Sequence, residues 1–191
     1  MYGSGTYSAD GIKAIAQAIS VMASLTSLNL SDNNLAGETG YVKATAVQGP
    51  SFNVGDRVIY QGCEMIVSKG IDSDGEIKMV NLSGVKALAH ALRVNPSMTS
   101  LDISNNGIGD EGVKSICEAL KNNKTLKVLD LNASKFIGGE IGPQGAKYLA
   151  EMLVVNPSLT SIDLSLNSLG SEGAKALAPS IRDSPSLTYL W

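Results

Sequence analysis

Aromatic residues are scarce in this chain: two Phe, one Trp and six Tyr make up 5% of 191 residues. Its core must therefore be aliphatic, and the 43% hydrophobic content supplies the material. Histidine occurs once, at His90, and cysteine twice, at Cys63 and Cys117, far apart and without metal-site spacing. A Gly-rich phosphate loop, a Ser-His-Asp order and an HExxH pattern are all missing, so no catalytic, cofactor-binding or metal site is expected. Positive charge is also short. The net charge is -3 and the pI near 5.1, which argues against nucleic acid as a partner. Nowhere does the chain run apolar for about 18 residues, so no membrane span is expected. Met1 to Gly5 lack a basic n-region and an apolar h-region, so no secretory signal is expected. With two unpaired-looking cysteines, a reducing, cytoplasmic setting is the simplest reading.

What the chain does have is a repeat. Gly11, Gly84, Gly112, Gly145 and Gly173 each open a similar apolar run: GIKAIAQAI, GVKALAHAL, GVKSICEAL, GAKYLAEML and GAKALAPSI. Fourteen residues after each glycine stand Leu25, Met98, Leu126, Leu159 and Leu187, which open LTSLNL, MTSLDI, LKVLDL, LTSIDL and LTYLW. The glycines are 73, 28, 33 and 28 residues apart, so the unit is 28 residues, with 45 extra in the first interval and 5 in the third. Apolar residues in the first half recur at helical spacing, as at Ile12, Ile15, Ala16 and Ile19. Its third position is always lysine (Lys13, Lys86, Lys114, Lys147, Lys175), a solvent-facing choice. The second half alternates, as in Leu28-Asn29-Leu30, the mark of a short strand with one buried side. A helix returning to a parallel strand, repeated, stacks into a curved solenoid.

The pattern LxxLxLxxNxL followed by a glycine-led helix resembles the ribonuclease-inhibitor class of leucine-rich repeats. That class appears also in nucleotide-binding innate immune receptors and in the Ran GTPase-activating protein. Leu25, Leu28, Leu30, Asn33 and Leu35 fit it, as do Met98, Leu101, Ile103, Asn106 and Ile108, and Leu159, Ile162, Leu164, Asn167 and Leu169. The remaining unit has Leu126, Leu129, Leu131 and Phe136, but Ser134 where asparagine is expected. The resemblance covers roughly residues 9–37 and 83–191. It implies an α/β fold: a right-handed solenoid with a parallel concave sheet and convex helices. The asparagine column reads as backbone satisfaction where the chain leaves each strand, since the side chain offers two donors and an acceptor. Ser134 satisfies fewer groups, and the same repeat carries the five extra residues, so a local bulge is expected there.

Residues 38–82 break the pattern. Residues 52–60, 63–68 and 75–80 are β-rich, punctuated by Gly62 and by Asp72 to Gly75; residues 41–47 offer a further strand. A small antiparallel unit projecting from the solenoid is expected, either a hairpin or an SH3-like barrel. The phrase VGDRVIYQG resembles the opening of SH3-like and KOW-type barrels. Asp72 to Gly75 superficially suggests calcium. An EF-hand loop starting at Asp72 would need Gly at position 77 and Glu at 83, but Ile77 and Ser83 stand there, so a turn is expected. The domains are thus read as 9–37, a first repeat; 38–82, the insert; and 83–191, the remaining repeats, the last incomplete.

Function is expected to be binding of a protein or peptide. Strand alternation puts Ser27, Ser100, Val128, Ser161 and Tyr189 in one concave column. Asn29, Asp102, Asp130, Asp163 and Trp191 form the next. Three carboxylates on neighbouring strands make an acidic groove for a basic partner segment, or merely solvate the sheet. Tyr189 and Trp191 are candidate aromatic anchors on the last strand, which reads as an open edge available to another copy of the chain. The resemblance implies a second class, a regulatory or sensor segment of a larger protein of GTPase-activating or receptor type. A third treats Tyr41, Phe52 and Tyr60 of the insert as an aromatic cage. His90 reads as a surface residue and Cys117 as a buried small one. Pro179 is expected to shorten or kink the last helix.

Overall fold

The computed structural model describes residues 9–133 and 139–191. The glycine-led runs form five helices: α1 (Asp10–Val21), α2 (Ser83–Val94), α3 (Gly109–Leu120), α4 (Pro143–Val155) and α5 (Gly170–Asp183). The alternating runs form very short strands: β1 (Ser27–Asn29), β6 (Ser100–Asp102), β7 (Val128–Asp130), β8 (Ser161–Asp163) and β9 (Tyr189–Leu190). These five make one parallel sheet in the order β1-β6-β7-β8-β9. The register follows the repeat. Ser27 pairs with Ser100, Ser100 with Val128, Val128 with Ser161 and Ser161 with Tyr189. Leu101, Leu129 and Ile162 face inward, fully buried against Leu92, Leu120 and Leu153 of the helices. The result is an α/β solenoid with the sheet on its concave side and helices on its convex side.

The repeat glycines are a packing feature. A Cβ on Gly112 would lie 2.8 Å from Ile108 Cβ and one on Gly173 2.9 Å from Ala146 Cβ. One on Gly145 would meet Ile141 and the Asp110 carboxylate. Gly11, on the outermost helix, would meet nothing within 4 Å. At Gly145 and Gly173 the helix packs so closely on the preceding repeat that only hydrogen fits, and at Gly112 the helix's own N-cap residue, Ile108, fills the space.

The insert contributes β2 (Val42–Lys43), a 3-10 turn over Ala44–Ala46, β3 (Arg57–Tyr60), β4 (Cys63–Lys69) and β5 (Glu76–Val80). They form an antiparallel sheet in the order β2-β5-β4-β3. A bridge between Gln48 and Ile59 lets the segment after β2 pair with β3 at the opposite edge. One face buries Val58, Met65, Val67, Ile77 and Met79 in a core of the insert's own. The turn expectation at Asp72 is met: Asp72 Oδ1 accepts the N–H groups of Asp74 (3.0 Å) and Glu76 (2.9 Å), and Gly75 has φ 72°. These backbone donors hold the Asp72 carboxyl below its usual range.

Two expectations change. The insert does not simply project: Ile66 and Val80, on its other face, pack against the solenoid core. Its ends also meet, since Asn81 N–H donates to Ala36 O at 2.8 Å. Pro179 does not shorten its helix, which continues to Asp183. Leu177 and Ile181 on either side pack against the core and carry the helix past the missing N–H. The bulge expected at Ser134, and Phe136 with it, lie outside the described residues.

Candidate protein-binding surface

Two asparagine ladders hold the solenoid together. At the strand exits, buried Asn106 donates from Nδ2 to Leu30 O (2.8 Å), Ile103 O (3.0 Å) and Ser104 O (3.0 Å). Its Oδ1 accepts from Asn33 N (2.9 Å) and Leu35 N (3.1 Å) of the preceding repeat. Asn167 repeats this with Leu131 O at 2.9 Å and Ile141 N at 2.8 Å. The LxxLxLxxNxL pattern contains that ladder; a second one, formed by Asn95, Asn123 and Asn156 at the helix exits, lies outside it. Asn156 Nδ2 donates to Leu120 O (2.6 Å) and Asn123 O (3.2 Å), while its Oδ1 accepts from Ser158 N (2.9 Å) and Leu159 N (2.7 Å). Asn95 does the same for Ile19 O and Met22 O. The signal was available: each of the three stands eleven residues after a repeat glycine.

The concave column of Asn29, Asp102, Asp130 and Asp163 lies in register across four strands. Each side chain closes a turn as its strand ends. Oδ1 accepts the N–H two residues on: Ser31 (2.9 Å), Ser104 (3.0 Å), Asn132 (2.9 Å) and Ser165 (2.7 Å). Asp and Asn are chosen there because their short side chains make this Asx turn. Asp102 Oδ2 also takes Asn29 Nδ2 at 2.6 Å. Neighbouring strands stand about 4.8 Å apart, so the carboxylates repel one another. Burial, and then the charges of Asp102 and Asp163, hold the Asp130 carboxyl above its usual range.

Trp191 extends the column. Its N–H donates to Ile162 O at 3.1 Å and its C=O accepts from Leu164 N at 2.9 Å. Tyr189 and Trp191 are 63% and 69% exposed on the outermost strand, so the chemistry of any contact there is aromatic. The cage residues do not sit alike. Phe52 and Tyr60 pack on the insert core, while exposed Tyr41 has Lys69 and Lys78 at 4.9 and 5.0 Å from its ring centre. Tyr41 precedes β2 and Tyr60 ends β3, on opposite edges of the sheet. His90 is exposed, and its Nδ1 accepts from the Arg93 guanidinium at 3.0 Å. Cys117 is buried, which pushes its thiol up, and Cys63 is exposed.

The family model described as Leucine Rich repeat matches residues 21–39, 94–117 and 155–178. The chain is a leucine-rich-repeat solenoid of the ribonuclease-inhibitor-like class. Mouse (Mus musculus) ribonuclease inhibitor is 29% identical over 184 residues, which cover 94% of this chain and 35% of that protein. Mouse NACHT, LRR and PYD domains-containing protein 14 is 28% identical over 169 residues, 88% of this chain and 15% of that protein. The chain thus spans 35% of one of these relatives and 15% of the other. Among solved structures, leiomodin-1 actin-binding site 2 superposes with a TM-score of 0.58 at 14% identity, covering 97% of this chain and 79% of that one. The tropomodulin C-terminal domain of Caenorhabditis elegans gives 0.57 at 12%, covering 96% and 81%. Among the described residues no helix is long and apolar enough to cross a membrane.

Proposed function

We propose that this solenoid is a protein-binding module, not an enzyme, and that its concave sheet receives a basic segment of a partner protein. The acidic column carries the reading. Asp102, Asp130 and Asp163 each commit Oδ1 to a backbone N–H, and Asp102 Oδ2 takes Asn29 Nδ2, so Asp130 and Asp163 are the two that turn Oδ2 to the open sheet. Burial and mutual repulsion raise the cost of ionising Asp130, and a cation from a partner relieves it. Asn29 starts the column, and Tyr189 and Trp191 add exposed aromatic area at its far end. Both cysteines are free thiols, which supports a reducing, cytoplasmic setting.

The structure changes how this reading is tested. Charge reversal at Asp102 and Asp130 removes the Asx turns along with the charge, whereas Asp→Asn keeps the accepting oxygen. A fluorescein-labelled peptide of alternating Lys and Gly, titrated against Asp130→Asn plus Asp163→Asn, should bind about tenfold more weakly than to the parent. Unchanged affinity sinks the groove. Replacing residues 38–80 by a short linker, which the adjacency of Ala36 and Asn81 permits, asks whether the insert contributes.

A second reading makes the chain a sensor or regulatory segment of a longer protein, and the NACHT-type relatives, of which it spans 15%, favour it. Self-association through β9 is favoured by the exposure of Leu190, at 41%, in a column whose Leu101, Leu129 and Ile162 are buried. A clean monomer by light scattering at high concentration rules that contact out.

A further inference from the structure

The helix side of the molecule has the opposite chemistry. Where the insert sheet lies against the start of α2 and the side of α1, it leaves a cleft of about 380 Å³. Lys13, Arg57, Cys63, Glu64 and Lys86 line its rim, and Ile66, Val80 and Leu82 its apolar floor. The β-register explains the floor. Arg57 pairs with Ile66 and Ile66 with Val80, so the three side chains form one row across the sheet, facing the helices. A second cleft of about 270 Å³ runs between α2 and α3, lined by Lys86, Ala89, His90, Arg93 and Glu118 among others. Lys86 lines both, so the two clefts adjoin at its side chain, and together they make up a groove.

The charge of that groove runs against the chain. The protein carries a net -3, yet Lys13, Arg57, Lys86 and Arg93 line the groove against only Glu64 and Glu118. Glu64 is already used, bonded to Arg57 at 2.7 Å and held below its usual range by that guanidinium. Among the described residues, the ion pair Lys13 makes is a long one, 3.9 Å, to a highly exposed Asp10. Arg93 contacts the His90 ring, not a carboxylate. Lys86, at the junction, is exposed on the lysine column of the repeats.

We propose that this groove docks an acidic, extended peptide segment, with one apolar side chain on the Ile66–Val80 floor and its carboxylates against Lys13, Lys86 and Arg93. Charge complementarity sets the class of partner: in an acidic protein a locally cationic groove attracts what the rest of the surface repels. Its length sets the size. Packed helices lie about 8–10 Å apart, so a groove crossing from the insert past α2 towards α3 accommodates about five extended residues at roughly 3.3 Å each. The site is independent of the concave sheet, so either can fail without the other.

The probe is a fluorescein-labelled Glu-Glu-Leu-Asp-Glu-Glu peptide, titrated into the full chain by fluorescence anisotropy, with amide NMR shifts to locate it. Binding should weaken at least about tenfold in Lys86→Glu, and again in Arg93→Glu, both exposed positions whose change leaves the fold intact by circular dichroism. Lys175→Glu, the same chemistry in the same column on α5, should leave it unchanged. The proposal is overturned if the neutral Gln-Gln-Leu-Asn-Gln-Gln peptide binds equally, or if both groove variants keep the parent affinity. Equal loss in Lys175→Glu overturns it too, by showing unlocalised attraction. So does inorganic phosphate alone producing the same NMR shifts at saturation, which makes the groove a small-anion site.

Discussion

The repeats and the insert solve the same problem, a β-sheet needing partners, in opposite ways. A repeat cannot bury its strand alone. Its three-residue strands depend on the neighbours through the sheet register and through asparagines that reach into the preceding turn, such as Asn106 to Leu30 O and Asn156 to Leu120 O. The insert closes on itself, pairing Gln48 with Ile59 and burying Met65, Val67, Ile77 and Met79 in its own core. Cohesion in the solenoid rests on an apolar core continuous from unit to unit, reinforced by buried polar bonds between units, and in the insert on apolar burial within one unit. The contact between them rests on Ile66, Val80, Leu82 and the Asn81–Ala36 bond, and it leaves the cationic groove beside it.

This contrast is sharpest at Asn156. Asn156→Ala takes the acceptor from Ser158 N and Leu159 N and one of two donors from Leu120 O and Asn123 O, all in a buried turn, and should cost about 3 kcal/mol in urea unfolding. Asn33→Ala, an exposed member of the other ladder with one bond to Ser31 O, should cost under about 1 kcal/mol. Equal losses would show that the ladders do not hold the repeats together.

Close helix packing comes next. Gly145→Ala forces a methyl against Ile141 and the Asp110 carboxylate and should lower stability by about 2 kcal/mol. That carboxylate also receives the N–H groups of Gly142 (2.7 Å) and Gly145 (2.8 Å), capping α4 from the repeat before it. Gly11→Ala, at the equivalent place with open space around it, should stabilise α1 by about 0.5 kcal/mol. A matching sign at both sites would refute the packing account of the glycine column.

The smallest effect isolates the concave charges. Asp130 has a folded-state pKa above its unfolded value, so its ionisation works against folding. The protein is free of that cost below the ordinary carboxylate pKa and bears it increasingly as pH rises through the folded value. Asp130→Asn keeps the bond from Asn132 N and should gain about 0.5 kcal/mol at pH 7, discounted for its partial exposure. The gain should vanish in acid, near the ordinary value for Asp. A constant gain across pH would place its origin outside the charge column.

The sequence carried the repeat, its register and the strand-exit asparagines, because each is a periodic demand that recurs at the same offset from a glycine. It carried the concave column as a list of residues, but not the Asx turns, which require knowing that Asp102 Oδ1 reaches Ser104 N. The helix-exit ladder of Asn95, Asn123 and Asn156 was legible by the same periodicity and was overlooked beside the better-known asparagine of the pattern. The capping of α4 by Asp110 left no signature, since the two partners stand 32 residues apart with the five extra residues of that repeat between them.

Local and periodic chemistry thus determined the solenoid from the sequence alone: alternating apolar residues choose strands, 3.6-residue spacing chooses helices, and an unchanging unit can only stack on itself. Where the insert lies was decided by the tertiary structure. Nothing within residues 38–82 says which face of their sheet will turn to the helices. That choice came from burying Ile66 and Val80 against the solenoid, and it brought Arg57 beside Lys13 and Lys86, residues far apart in the chain whose charges have meaning only together.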